Sequence, residues 1–258
     1  MEVGRVQGAP DPGLRGWISS YYGFGESTLT PIRRREGPGR DVVLIVSFGE
    51  EWLINGERLT SFAAGLHDRE VATQHGGRSH GMHINVAPPA AHMLFGLPLH
   101  TLARRQVPLE DIFDEPFLVE RLYDAEDWAA RFRLLDAVFT KRLADARPSS
   151  AELVWAWRRL VETNGRVAVG ALAEELGWSR KRIVARFREE VGLPPKTVAR
   201  LLRFDRARTL AERPERLNWA RIALDCGYYD QSHLINDFRA VTGRTPETFF
   251  QDRVASAA

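Results

Sequence analysis

Between residues 29 and 86, apolar positions fall in short runs broken by turn residues. Asp41 to Phe48 (DVVLIVSF) is an apolar run of strand length. Glu51 to Arg58 carries the pair Asn55–Gly56 between apolar residues, a cue for a tight hairpin. Phe62–Leu66 and His80–Val86 read as further strands. Several short strands with turn signals predict a small sandwich or barrel. Ahead of them, residues 1–13 are rich in Gly and Pro and are expected to be loosely held, with the aromatic stretch Gly16–Tyr22 opening the first ordered element.

At Pro88–Pro89 the period changes to a helical one. Ala90 to Gly96 reads as a short helix closed by its glycine. From Pro116 to Leu143 the apolar residues Leu118, Leu122, Trp128, Phe132, Leu135, Val138 and Phe139 keep helical spacing. Arg147-Pro-Ser-Ser150 is a junction, and Ser149 or Ser150 is placed to cap a helix over Ala151–Thr163 that would bury Leu153, Val154, Trp157 and Leu160. The pattern therefore predicts an α+β chain. Residues 1–147 form a β-rich domain ending in helices, and residues 148–258 form an all-α domain.

Within the second domain one pattern is written twice, over Val167–Val198 and Leu217–Phe249. Phe187 answers Phe238, Gly192 answers Gly243 and Pro195 answers Pro246, each 51 residues on. Each copy begins with a short amphipathic helix: Val169, Leu172, Ala173 and Leu176 in the first, Ile222, Ala223 and Cys226 in the second. Gly177 or Gly227 then stops it, and Ser179 or Asp230 offers an N-cap for a second helix. That second helix is anchored by Ile183 and Phe187, or by Leu234 and Phe238, and its other face is polar. This is the layout of a helix-turn-helix, whose second helix lies in the major groove of DNA.

The stretch ARIALDCGYYDQSHLINDFRAVTGRTPETFF closely resembles the C-terminal signature of the AraC/XylS family of transcriptional regulators. LAEELGWSRKRIVARFREEVGLPP and RFDRARTL resemble that family's first helix-turn-helix and its connecting helix. Together they cover about the last hundred residues. The resemblance implies two reading heads held apart by a strut, here Pro195–Ala211 with Leu201, Leu202, Phe204, Ala207 and Leu210 as its apolar stripe. It implies base contacts at Lys181, Val184 and Ala185 in the first head, and at Gln231, Ser232, His233, Ile235 and Asn236 in the second. Ala185 stands where many relatives have Arg, so Arg180 and Lys181 must supply more of the first head's polar reading. Asn236 also departs from the Arg or other polar residue common there. Gln231 and Asn236 carry amides that match the adenine edge, and Val184 and Ala185 fit thymine methyl groups. Arg180, Arg186 and Arg239 are expected at phosphates, with Ser179 and Asp230 placing helix N-termini against the backbone. The front half, through HINVAPPAAHMLFGLPLHTLARRQVPLEDIFDE, resembles the sensor regions of such regulators. That resemblance implies a cupin-like domain binding an effector or a second subunit. The expected partners are double-stranded DNA, a small-molecule effector, a second copy of the chain and RNA polymerase.

Charge supports this division. The chain of 258 residues has a net charge of +2, but residues 150–258 hold 19 Lys+Arg against 14 Asp+Glu (+5) and the rest hold 17 against 20 (−3). A basic half joined to an acidic half suits a DNA-contacting module attached to something else. The excess of Arg over Lys runs through both halves and so carries no weight. No apolar run approaches the roughly 20 residues needed to span a bilayer, and the N-terminus has no apolar signal core. The single cysteine, Cys226, is expected to pack in a core. A cytoplasmic protein is the expectation.

Other chemistry finds less support. Six of the seven histidines lie between His67 and His100, which keeps open a metal-dependent cupin enzyme or metal sensor fused to a DNA-binding tail. Their spacing fits no metal motif, and loop and core histidines are the simpler reading, so no metal or cofactor is expected. No Gly-x-Ser-x-Gly elbow or Gly-rich phosphate loop occurs, and the expectation is a non-enzyme. The carboxylate pairs Glu50–Glu51, Glu174–Glu175 and Glu189–Glu190 read as exposed faces.

Overall fold

The computed structural model describes residues 4–212 and 217–257, with side chains as far as residue 251. The first half is built on two antiparallel sheets. One has six strands in the order β1 (Gly4–Gly8), β2 (Ile18–Ser27), β9 (Arg78–Val86), β4 (Val42–Ser47), β7 (Phe62–Ala64) and β10 (Gln106–Pro108). The other has four, in the order β3 (Ile32–Glu36), β8 (Val71–His75), β5 (Trp52–Ile54) and β6 (Glu57–Leu59).

The apolar run at 42–47 is continuous because β4 is covered on both faces. Leu44 and Val46 join a core shared with helices α1 (Pro88–Phe95), α2 (Leu118–Asp124) and α3 (Trp128–Asp145). Ile45 instead joins Trp52, Ile54, Phe62 and Val71 between the sheets. In β2, Ile18 and Tyr21 both reach the helix-side core although three residues apart. A register irregularity between Ile18 and Ser20 supplies the extra residue. The Asn55–Gly56 hairpin forms as expected, both residues taking positive φ (49° and 95°) between β5 and β6.

One expectation fails here. The N-terminal stretch is not loose over Gly4–Gly8, which pairs in full register with β2 from Gly4↔Gly25 to Gly8↔Tyr21. Two glycines in five residues hid a strand whose stability comes from its partner.

The second half is helical: α4 (Ala151–Glu162), α5 (Val169–Glu175), α6 (Arg180–Glu190), α7 (Pro195–Ala211), α8 (Trp219–Asp225), α9 (Gln231–Thr242) and α10 (Pro246–Ala257). Ser150 caps α4, its hydroxyl accepting from the Leu153 amide. Leu153, Ala156, Trp157 and Leu160 of α4 are buried, while Val154 is only half-buried. Among the described residues no helix is long and apolar enough to cross a membrane.

Candidate nucleic-acid interface

The two turns between α5 and α6 and between α8 and α9 share one construction. Gly177 and Gly227 have φ of +62° and +78°, a region in which side chains with a Cβ are strained. Their amides donate to Glu174 and Leu224, while the next residues, Trp178 and Tyr228, donate back to Ala173 and Ala223. That pair of bonds closes a helix in the Schellman manner, and burying the residue after the glycine completes it. Trp178 and Tyr228 are both buried. They are the pivots of the turns, and sequence reasoning passed over them.

The second helices then start on side-chain caps, with Ser179 Oγ accepting from the Arg182 amide at 3.2 Å and Asp230 Oδ1 from the His233 amide at 2.7 Å. Between Gly177/Gly227 and Phe187/Phe238 the repeat offset grows from 50 to 51 residues. The inserted residue is Tyr229, which is 88% exposed at the entry to α9. Counting the offset along both copies finds it from sequence alone.

Ile183 and Phe187 of α6, and Leu234 and Phe238 of α9, are fully buried in a single core, so the opposite faces are fixed outward. Arg180, Lys181, Ala185, Ser232, Asn236 and Arg239 are exposed. Val184, Gln231 and Ile235 are half-buried, and Ile235 packs against the core. His233 is exposed, but its ring sits edge-on to Tyr228 and its Nδ1 accepts from the Tyr229 amide at 3.5 Å. Asp230 is engaged as the cap. Arg186 is turned away along its own helix, paired with Glu189 at 3.0 Å and with Glu190.

Glu190 corrects an expectation. It is 1% exposed, not part of a solvated face. The C-terminal part of α6 lies against α1 and the short 3₁₀ turn Leu99–Thr101 of the first domain, which covers it.

The strut connects both units. Arg203 of α7 donates to the Gly165 carbonyl at 2.9 Å, beside the first unit, and lies over the Tyr228 ring and 3.9 Å from Asp237 in the second. Burial, opposed by Arg203, raises the Asp237 carboxyl above its ordinary range. Phe204 meets Phe238 at 4.7 Å between ring centroids. Cys226 is buried within the same core, where desolvation pushes its thiol up to about 11.

The histidines are dispersed. His75 Nε2 meets Glu26 at 3.0 Å, His83 lies between Tyr22 and Asn85, His67 meets Gln106 and His92 meets the Leu97 carbonyl. Among the described residues no three His, Cys, Asp or Glu side chains converge to hold a metal ion.

Between the two sheets lies a cavity of about 340 Å³. Phe24, Val43, Ile45, Trp52, Ile54 and Phe62 form its apolar walls. His67 and His83 also line it, each held neutral by burial, down to about 4. Arg34 lines it too, with both terminal nitrogens bound to Glu26 at 3.0 and 2.6 Å.

Comparison with known proteins places the helix-turn-helix units and the whole fold. Residues 172–252 match the family model described as a helix-turn-helix domain. No curated protein matches the chain. Among solved structures, ToxT from Vibrio cholerae at 1.65 Å is 10% identical with a TM-score of 0.50, the alignment covering 90% of this chain and 98% of that one. ToxT from the same organism bound to an unsaturated fatty acid is 11% identical with a TM-score of 0.47, covering 90% and 95%. At such identity the likeness is one of fold.

Proposed function

We propose, from the AraC-type helix-turn-helix domain that residues 172–252 form, that this chain is a transcriptional regulator whose sequence reading is controlled by an effector bound in its first domain. The observation that carries the DNA-binding part is the doubled, capped helix-turn-helix with Lys181 and Asn236 outward and Arg203 bracing the two units. The domain boundary falls at the Arg147–Ser150 junction. The protein acts by binding and not by catalysis, in the cytoplasm, and reaches RNA polymerase through the promoter it occupies. A second copy of the chain is a further expected partner.

Selection of bound sequences from a random duplex pool tests the reading. The expected site is long, with two conserved patches about one turn (~34 Å) apart. On that site Gln231→Ala should cost about 1–3 kcal/mol and relax preference at one base pair. Gel-shift titration reads both quantities, and unchanged affinity with unchanged preference removes Gln231 from the interface.

The effector site is the cavity between the sheets. Its wall chemistry suits a compact, mostly apolar molecule. Carboxylates of Glu26, Glu36 and Asp41 outnumber the single guanidinium, Arg34, which Glu26 already engages. Burial pushes the Asp41 carboxyl above its ordinary range as it pushes His67 and His83 below theirs, so charge of either sign is disfavoured and the excess of carboxylates alone separates the two charged heads. Naphthol, naphthylmethylamine and naphthoate present one bicyclic body with a neutral, a cationic and an anionic head. Naphthol and the amine should raise the melting temperature of the full chain, and naphthoate should leave it unmoved. Stabilisation by naphthoate above the other two would overturn the assignment of head charge. No binding by any of them would count against an apolar effector site.

Effector control requires that the ligand bind two domain arrangements with different affinity. The contacts at the domain junction determine which segment can carry that difference.

A further inference from the structure

One segment touches the cavity and the DNA-binding domain with alternate residues. It is the connection from β7 to β8, residues 65–70, with Val71 at its end. Gly65, His67 and Val71 line the cavity. Leu66, Asp68 and Glu70 between them meet the C-terminal half instead. Leu66, 2% exposed, is a member of the hydrophobic core of the C-terminal domain and not of its own. Asp68 accepts two bonds from Arg104 (2.6 and 2.8 Å) and lies 3.6 Å from Arg200 on the strut α7. The Glu70 amide donates to the Val241 carbonyl of α9 at 3.1 Å. The Glu70 carboxylate, 8% exposed, accepts from Arg244 at 2.6 Å, just beyond the C-terminus of that helix.

A second ply reinforces this segment. Gly65 donates to the Arg105 carbonyl at 3.2 Å, and the Arg104 amide donates to the Leu66 carbonyl at 2.9 Å. Ala103 packs against the C-terminal core, while Gln106 lines the cavity and meets His67 at 3.0 Å. One ply follows β7 and the other leads into β10, the edge strand of the six-stranded sheet, which has β7 as its one neighbour there.

We infer that residues 65–71 are the coupling strap of this protein: a change in the cavity moves His67 and Val71, and through Leu66, Asp68 and Glu70 shifts the strut and the second reading helix relative to the first. This rests on the reading of the chain as an effector-controlled regulator. The physical ground is the interleaving of these contacts: peptide units are planar and backbone bond lengths fixed, so a residue displaced in so short a segment carries its neighbours with it. The first reading helix is held elsewhere, on α1 and the Leu99–Thr101 turn, so strap movement changes the relation between the two heads.

The test needs no effector. In the full chain, Val71→Ala alters the cavity on the strap, while Leu44→Ala and Ile84→Ala weaken the same domain off the strap, in the core on the other face of the six-stranded sheet. Amide hydrogen exchange is read over residues 198–204 and 238–246, together with affinity for the selected duplex. Val71→Ala should speed exchange in both windows about tenfold and shift duplex affinity by a similar factor, the size of a common coupling between sites. The Leu44 and Ile84 variants lose more buried surface, so they should destabilise the chain at least as much, yet leave both readouts near the parent. His67→Gln gives the same comparison if Val71→Ala does not fold. Combining Val71→Ala with Asp68→Asn and Glu70→Gln should add nothing beyond the Asp68 and Glu70 changes alone. Equal effects from on-strap and off-strap variants, or no effect from either, would overturn the strap. Failure of the naphthyl compounds to bind would instead strike the effector reading and leave the exchange result standing.

Discussion

Phe238→Ala should cost about 3–5 kcal/mol and abolish duplex binding, the range found for truncating a fully buried aromatic. Phe238 is completely inaccessible. Its ring meets Phe204 of the strut at 4.7 Å, Phe249 of α10 at 5.9 Å and Trp219 of α8 at 6.1 Å. One side chain thus joins the second reading helix to the strut and to both neighbouring helices. Removing it leaves a cavity lined by rings too large to collapse inward, and the loss exceeds the transfer term alone. Urea denaturation of the full chain reads the stability and gel shift reads the binding. A transition at the parent midpoint would mean that this core is not what holds the second head. Gln231→Ala makes the contrast, because a half-buried side chain on the outer face should change base preference and leave the midpoint in place.

The same division between core and face explains what could be read from the sequence. Local chemistry was legible. Gly177, Gly227, Ser179 and Asp230 act within a few residues of themselves, and each does what its type dictates at a helix end. The strut occupies Pro195–Ala211 as expected, since proline opens it and its stripe keeps helical period. Features that depend on distant partners were not legible. Ile32–Glu36 falls in the stretch read as β-rich, but its three consecutive arginines hide the alternation that would mark it as a strand. It lies at the edge of the four-stranded sheet, where exposed charge discourages further pairing. Gly4–Gly8 likewise owes its strand to β2. Glu190 looked solvated because nothing in its own helix announces the first domain that covers it.

The strap shows the limit most sharply. Residues 65–70 read as the tail of a strand followed by a polar connection. That Leu66 serves the core of the other domain, whose other members begin at Leu153, is a fact of tertiary packing. Asp68 and Glu70 look like ordinary surface carboxylates until Arg200 and Arg244 are placed beside them. Both basic partners come from the C-terminal domain, so the excess of positive charge there serves the junction as well as the nucleic acid.

Gly65→Ala should cost about 3–4 kcal/mol, combining overpacking against a rigid neighbour with loss of backbone hydrogen bonds. A Cβ at this position would come within 2.2 Å of the Leu102 carbonyl oxygen and 2.6 Å of its carbon. Neither atom belongs to a flexible side chain, so relief requires the two plies of the junction to separate. Separation breaks the bonds from Gly65 to Arg105 and from Arg104 to Leu66. Gly37→Ala is the matched control, because nothing lies within 4 Å of a Cβ there, and a change within about 0.5 kcal/mol is expected. Thermal and urea unfolding compare the two. Because Gly65 begins the strap, its variant should also alter duplex affinity under conditions where the chain remains folded, whereas the Gly37 variant should not. Parent-like stability for Gly65→Ala would show that the 65–105 junction yields freely, and a junction that yields freely could not transmit movement from the cavity to the reading heads.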